Sequence, residues 1–300
     1  MTLVDPYGRR ITGLRMALTP RCNLRCIYCH HEGEVSPGRE ISAETAVNLA
    51  RAGAEEGMRA IKLTGGEPLL RSDLERIVSA LPDRLDISLT TNGIFLEDRA
   101  HSLARAGLDR VNVSLDSLDP RIYQRITGGG ASDLDCVIAG IEAAIDADLD
   151  PIKVNMVVLR ENESEVPRLI EFTRERGLIL QLIELLDLNG NGLGGDLVAI
   201  EKDLNSRAER VVTREMHRRK KYFLDGAEVE VVRPMDNTEF CAHCHRLRVT
   251  SDGKLKPCLL RSDNLVDLDG AGPAEMGQLL REATSRRAPF FCDELSCHRC

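Results

Sequence analysis

The chain has 300 residues, 42% of them hydrophobic, and a formal net charge of −8. This length suits one large α/β domain or two smaller ones, and the composition excludes a disordered or fibrous chain. The negative balance gives no general reason to bind nucleic acid or a membrane surface, and neither a signal peptide nor a membrane span is visible, so a cytoplasmic protein is expected.

Short apolar runs rich in β-branched residues alternate with helical patterns along the first two thirds of the chain. Leu14–Leu18 reads as the first strand, followed by a cysteine-rich loop and a helix over Ala43–Glu56 that starts at Ser42. Ala60–Leu63, Leu85–Leu89, Arg110–Leu115, Ile152–Val158 and Leu178–Leu185 read as five more strands. Further helices are expected over Asp73–Leu81, Glu97–Ala106, Leu134–Ala147 and Glu163–Arg176, with Gly107 and Gly177 at C-terminal caps. Alternation of this kind implies parallel pairing through right-handed crossovers. Six units are too few for a closed eight-fold barrel. An α/β fold with a partial, open, six-stranded βα barrel is therefore expected, with its chemistry in loops at the C-terminal ends of the strands.

After Leu185 the pattern changes. Residues 189–195 form a glycine-rich loop by composition, then comes a short helix, then Tyr222–Leu224 and Val229–Val232 flank Asp225–Gly226 as a hairpin. These features place a soft boundary near 190–220, with a barrel domain over 1–210 and a smaller C-terminal region over 211–300. The basic run Arg218–Arg219–Lys220–Lys221 reads as a solvated face, with an anionic substrate as the functional alternative. No internal repeat is present.

Ten cysteines are many for an intracellular chain, where they bind metal or do chemistry more often than they form disulfides. They fall at 22, 26 and 29, at 241, 244 and 258, and at 292, 297 and 300. Cys136 stands alone in a helix pattern and reads as a small buried hydrophobe. Cys22, Cys26 and Cys29 put three thiolates within eight residues. A 4Fe–4S cubane usually takes four protein ligands, so three leave one iron open to an exogenous chelator. The alternative is structural zinc with His30 or His31 as fourth ligand. Cys241, Cys244 and Cys258 offer three thiolates again, with His243 or His245 available for zinc. Arg246 and Arg248 lie beside them, guanidiniums suited to phosphate or carboxylate.

CxxxCxYC after strand one, followed by Gly65–Gly66–Glu67–Pro68 after strand two, resembles the radical S-adenosylmethionine superfamily. The resemblance implies a 4Fe–4S cluster on Cys22, Cys26 and Cys29 whose open iron chelates S-adenosylmethionine, and a 5′-deoxyadenosyl radical. Both cysteine groups, the CxRLRV segment and the order of strand-end motifs, from about Leu14 to about Leu260, are similar to GTP 3′,8-cyclases of molybdenum-cofactor biosynthesis. That likeness implies a second 4Fe–4S cluster on Cys241, Cys244 and Cys258 whose free iron meets the guanine. It implies that Tyr28, Gly66, Ser114 and Leu186 adjoin S-adenosylmethionine, and that Arg15, Lys62, Thr90, Lys153, Arg246 and Arg248 line the GTP site. Arg246 and Arg248 are also implied in turnover. The expected reaction is conversion of GTP to 3′,8-cyclo-7,8-dihydro-GTP, with an external electron donor, a downstream pterin-forming synthase and a possible homodimer as partners.

The sequence departs from the bacterial pattern at three points. Lys62 stands where bacterial members carry arginine, which keeps the charge but loses the bidentate fork. Leu186 replaces a methionine, a nearly volume-conserving change. The chain ends Cys297–His298–Arg299–Cys300 in place of a Gly–Gly tail, and Cys292, Cys297 and Cys300 are expected to be dispensable for radical formation. A radical peptide maturase and a non-catalytic iron–sulfur or zinc module are the competing functions.

Overall fold

A computed structural model of the chain describes residues 2–34, 39–187, 190, 192–235 and 238–290. Cys292, Cys297 and Cys300 lie outside the described residues.

Six strands, β1 (Gly13–Ala17), β2 (Ala60–Thr64), β3 (Asp86–Thr91), β4 (Arg110–Ser114), β5 (Lys153–Val158) and β6 (Ile179–Glu184), pair in parallel in chain order. Helices α1 (Ala43–Glu55), α2 (Leu74–Ala80), α3 (Ala100–Arg105), α4 (Pro120–Thr127), α5 (Asp133–Asp146) and α6 (Val166–Glu175) occupy the crossovers. This is the open, parallel α/β sheet that the alternation predicts. Ser42 caps α1 by accepting from Thr45 N, and Gly107 and Gly177 follow α3 and α6 with positive φ. Helix α3 begins later than expected because residues 97–99 are spent in a turn. Cys136 in α5 is only partly buried, so it is not the core residue its pattern suggested.

The period of two along each strand separates core from cavity. Leu14 and Met16, Ile61 and Leu63, Val111 and Val113, and Leu180 and Leu182 are all buried under the helices. Each such Leu or Ile side chain contributes about 1.5–3 kcal/mol on burial. The alternate positions, Arg15, Lys62, Asn112, Ser114, Lys153 and Gln181, face a cavity. Strands of an open parallel sheet thus carry polar side chains on the concave side, where a ligand can meet them.

The C-terminal segments extend both edges of this sheet. After α7 (Leu197–Arg207) come β7 (Arg210–Thr213), β8 (Lys220–Leu224) and β9 (Ala227–Val232). The β8–β9 hairpin forms as expected, and β9 runs parallel beside β6. The chain then passes through α8 (Thr238–Ala242) to β10 (Arg246–Val249), which pairs in parallel with β1, followed by β11 (Lys254–Lys256), β12 (Val266–Asp267) and α9 (Met276–Ser285). The resulting order is β12-β11-β10-β1-β2-β3-β4-β5-β6-β9-β8-β7. Twelve strands therefore share one sheet, and the C-terminal region places β9 and β10 on opposite flanks of the six. Among the described residues, no helix is long and apolar enough to cross a membrane.

Candidate active site

The loop leaving β1 carries Cys22, Cys26 and Cys29, none in a disulfide. Arg25 N donates to Thr127 O at 2.9 Å and Ile27 N to Ile126 O at 2.9 Å, so the loop is pinned to the end of α4. Helix α4 escaped the pattern reading, although Asp119 followed by Pro120 is a start signal: its carboxylate accepts from Arg121 N and Ile122 N. Burial first, then the Asp116 charge, pushes the Cys26 thiol up to about 12, and burial raises Cys22 and Cys29 as well. A metal bound by these thiolates would displace those protons. Among the described residues no three His, Cys, Asp or Glu side chains stand close enough to share a single metal ion.

The Gly65–Gly66–Glu67–Pro68 loop packs backbone to backbone against the segment entering Cys22. Gly66 N donates to Thr19 O and Glu67 N to Arg21 O, both at 2.7 Å. A Cβ on Gly66 would stand 2.2 Å from Arg21 O, and one on Gly65, where φ is +150°, would stand 2.4 Å from Thr19 O. The glycines therefore set the approach of this loop to the cysteine loop. Buried Glu67 accepts from Leu69 N at 2.9 Å, Thr91 Oγ1 at 2.6 Å and Asn92 N at 2.7 Å, locking the β2 and β3 loops together. Burial outweighs those bonds and lifts its carboxyl to about 7.

Tyr28 Oη donates to Asp116 Oδ2 at 2.6 Å, while Asp116 Oδ1 accepts from Val157 N at 2.9 Å. Burial brings Asp116 up to about 6 against both bonds. Tyr28 is thus oriented by a carboxylate that no sequence motif singled out. Ser114, Thr90 and Leu186 line the same space.

Cations ring the floor. Arg15 and Arg248, paired in register on β1 and β10, both bind Glu32 from the cysteine loop, Arg248 at 3.0 Å. Burial pushes the Glu32 carboxyl up, but the two guanidiniums outweigh it and hold it at about 2. Lys62 Nζ donates to Asn112 Oδ1 at 2.8 Å. Across the cavity, buried Glu230 on β9 pairs with Lys153, with Arg219 at 2.9 Å and with Arg214 at 3.2 Å. The basic run is therefore not one solvated face. Arg218 and Lys220 are exposed, while Arg219 and Lys221 line the cavity.

The second cysteine group is clamped by both ends of the chain. Arg9 Nη1 donates to Cys241 O and Arg287 Nη2 to Cys244 O, each at 2.9 Å, and both guanidiniums bind buried Asp5. His217 stacks on Phe240 with ring centroids 3.8 Å apart. Burial and then Arg246, Arg219 and Arg248 lower its pKa far enough to keep the ring neutral.

All the residues singled out in the sequence for cluster, cosubstrate or nucleotide border a single cavity of about 1590 Å³. Pockets for one small molecule run to about 300–1,000 Å³, so this one has room for more than one ligand. Glu32, Asp116, Arg214, Glu230 and His217 belong to the site without having been found, while Arg219 stood in the basic run that reads as a solvated face. Only the period-two spacing of Arg219 and Lys221 offered a signal.

The Radical SAM superfamily profile matches residues 16–173, and the Molybdenum Cofactor Synthesis C profile matches residues 179–290. A probable GTP 3′,8-cyclase of Methanosarcina mazei is 53% identical over 300 residues, covering 96% of this chain and 90% of its own. The protein of the same description from Archaeoglobus fulgidus is 50% identical over 296 residues, covering 96% of this chain and 99% of its own. Among solved structures, Streptococcus suis SuiB bound to S-adenosylmethionine aligns with a TM-score of 0.64 at 16% identity, over 83% of this chain and 60% of its own. Native anSMEcpe with bound AdoMet aligns at 0.60 and 17% identity, over 96% of this chain and 86% of its own. At these identities the two structures speak for the fold alone.

Proposed function

Since the chain belongs to the GTP 3′,8-cyclase family of the radical S-adenosylmethionine superfamily, we propose how its own residues divide the work of that reaction. The enzyme converts GTP to 3′,8-cyclo-7,8-dihydro-GTP in molybdenum-cofactor biosynthesis, using S-adenosylmethionine and a 4Fe–4S cluster. Bound, these supply a 5′-deoxyadenosyl radical, so the hard chemistry is the cofactor's and the protein contributes position and shielding.

Cys22, Cys26 and Cys29 hold the radical-forming cluster. Tyr28, fixed by Asp116, together with Gly66, Ser114 and Leu186, borders the cosubstrate. Cys241, Cys244 and Cys258 hold a second cluster that receives the guanine, and Arg15, Lys62, Thr90, Lys153, Arg246 and Arg248 receive the rest of the nucleotide. The observation that supports this division is the cavity itself: two three-cysteine groups open on one space, with the cation ring between them. Positive charge concentrated in a protein of net charge −8 fits a polyphosphate substrate. Arg246 and Arg248 stand two and four residues after Cys244, so they adjoin the reacting sugar and base and act in turnover as well as binding. The barrel region over 1–210 and the C-terminal region over 211–300 each bring one cluster. A cytoplasmic location, an external electron donor, a downstream pterin-forming synthase and a homodimer complete the reading.

The test is incubation of anaerobically reconstituted, reduced protein with S-adenosylmethionine and GTP. Formation of 5′-deoxyadenosine together with 3′,8-cyclo-7,8-dihydro-GTP is expected, with iron and sulfide for two cubanes per chain. Cosubstrate cleavage without any modified guanosine nucleotide would defeat the substrate assignment.

A further inference from the structure

The cluster around Glu230 carries more positive charge than its own partners neutralise. Glu230 is fully buried and faces three cations, Lys153, Arg214 and Arg219. Burial and the three cations pull in opposite senses on its carboxyl, and the cations win, holding it at about 2. The same crowding leaves Lys153 short of compensation: burial lowers it to about 8 in spite of Glu230, with Arg214 and Arg219 adding to the fall. Arg219 Nε is buried without a hydrogen-bond partner, and its Nη2 meets only a weak acceptor, Met216 Sδ, at 3.9 Å. One carboxylate does not neutralise two largely buried cations, Lys153 and Arg219, with part-exposed Arg214 beside them, so this wall of the cavity favours an anion from outside the chain.

Met216 also locates that anion. Its sulfur lies 3.8 Å from Arg246 Nη2 as well as 3.9 Å from Arg219 Nη2, so the two cation sets converge at this side chain. Arg246 is two residues from Cys244 and therefore belongs to the end of the site next to the second cysteine group. Arg219 and Arg214 come from the segment that leads into β8, on the flank formed by β5, β6 and β9. A phosphate chain whose nucleoside sits at the second cysteine group passes Arg246 first and reaches Arg219 last.

We propose that Arg219 and Arg214, seated on Glu230 beside Lys153, hold the terminal phosphate of the nucleotide and make the enzyme select a triphosphate over a diphosphate. The proposal rests on the reading of GTP as substrate. Arg219 is the principal contact, because its planar fork is already immobilised on Glu230 by Nη1, leaving Nε and Nη2 to donate. Arg214 is about one third exposed and contributes less.

The test is equilibrium binding of GTP and of GDP, at fixed ionic strength, to protein carrying both clusters. The parent is compared with Arg219→Met, Arg219→Lys and Arg214→Gln. Arg219→Met is expected to weaken GTP about ten- to a hundredfold while changing GDP by less than about threefold. Arg219→Lys, which keeps the charge without the fork, should fall between, and Arg214→Gln should lose about threefold to tenfold on GTP alone. Iron content and melting temperature report the fold of each variant, and a merely structural role would weaken both nucleotides together. Equal losses on GTP and GDP, or no loss on GTP, would overturn the proposal while leaving GTP as substrate. A parent that bound neither nucleotide would overturn the substrate reading and this inference with it.

Discussion

Glu32 accepts a hydrogen bond from Arg248 at 3.0 Å across 216 residues of sequence, and the same carboxylate also binds Arg15. The loop that carries the first three cysteines is thereby tied to the strand that runs between Cys244 and Cys258 of the second group. The pairing places one negative charge among guanidiniums that otherwise repel one another. Breaking such a buried pair leaves uncompensated charge, at a cost of about 3–5 kcal/mol.

Replacing Glu32 by glutamine should therefore lower the melting temperature of the nucleotide-free protein. GTP supplies the missing negative charge, so it should restore more stability to Glu32→Gln than to the parent. Thermal melts of cluster-loaded protein with and without GTP measure both effects. An equal GTP-induced rise in the two proteins would show that Glu32 does not compensate the nucleotide-binding arginines.

Much of this architecture was legible before the fold was known, for reasons that also explain what was not. The six parallel strands announce themselves because Leu14 and Met16, or Val154 and Met156, must be apolar to lie under helices, whatever faces the cavity. Cysteine spacing survives in one dimension because three ligands to one cubane can come from one loop. Strand β10 was missed because Arg246–Val249 is short and half basic; it becomes a strand only by pairing with β1, more than two hundred residues away. Helix α4 was missed because it is only eight residues long, and its packing face is little more than Tyr123 and Ile126. Glu32 and Glu230 are ordinary glutamates until distant cations close on them. Arg219 looked like its exposed neighbour Arg218, since in the turn ahead of β8 the two differ in facing, not in chemistry.

Gly66→Ala tests the backbone packing behind the cosubstrate loop. Its Cβ would stand 2.2 Å from Arg21 O and 2.7 Å from Pro20 O, neither of which can rotate away. Overpacking of this kind costs about 1–3 kcal/mol. The strain falls on the residues just before Cys22, so iron retention by the first cluster should drop more than that by the second. Melting temperature should fall by a few degrees, and 5′-deoxyadenosine formation should slow. Parent-like values for all three would mean that the loop has room the packing does not show.

Lys153 gives the site a pH dependence whose sign follows from its lowered value. Burial brings the free-protein pKa to about 8, with Glu230 opposing and Arg214 and Arg219 reinforcing the fall. Bound GTP favours the charged ammonium, so the pKa rises in the complex. Affinity should consequently be level below about pH 7.5 and decline above pH 8, by at most about tenfold per pH unit. Lys153→Met should bind more weakly at pH 7 and lose most of that decline. Binding isotherms between pH 7 and 9.5 check it, and an identical slope in the variant would assign the titration to another group.

The division of labour between the two cysteine groups is the sharpest consequence of their sharing one cavity. Cys26 supplies one of three thiolates at the proposed radical source, and Cys26→Ala should abolish 5′-deoxyadenosine formation altogether. Cys258 belongs to the other group, and its loss leaves the hydrogen bonds of the first loop to α4 and the Tyr28–Asp116 bond in place. Cys258→Ala should therefore stop GTP cyclisation while some uncoupled 5′-deoxyadenosine formation persists. Electron–nuclear double resonance with nitrogen-labelled guanosine triphosphate then asks where the base sits. Coupling between a guanine nitrogen and the cluster on Cys241, Cys244 and Cys258 is expected in the parent and should vanish in Cys258→Ala. If the coupling were absent in the parent although GTP was bound, the second group would be a structural or electron-transfer centre, and recognition of the base would fall to the protein side chains lining the cavity.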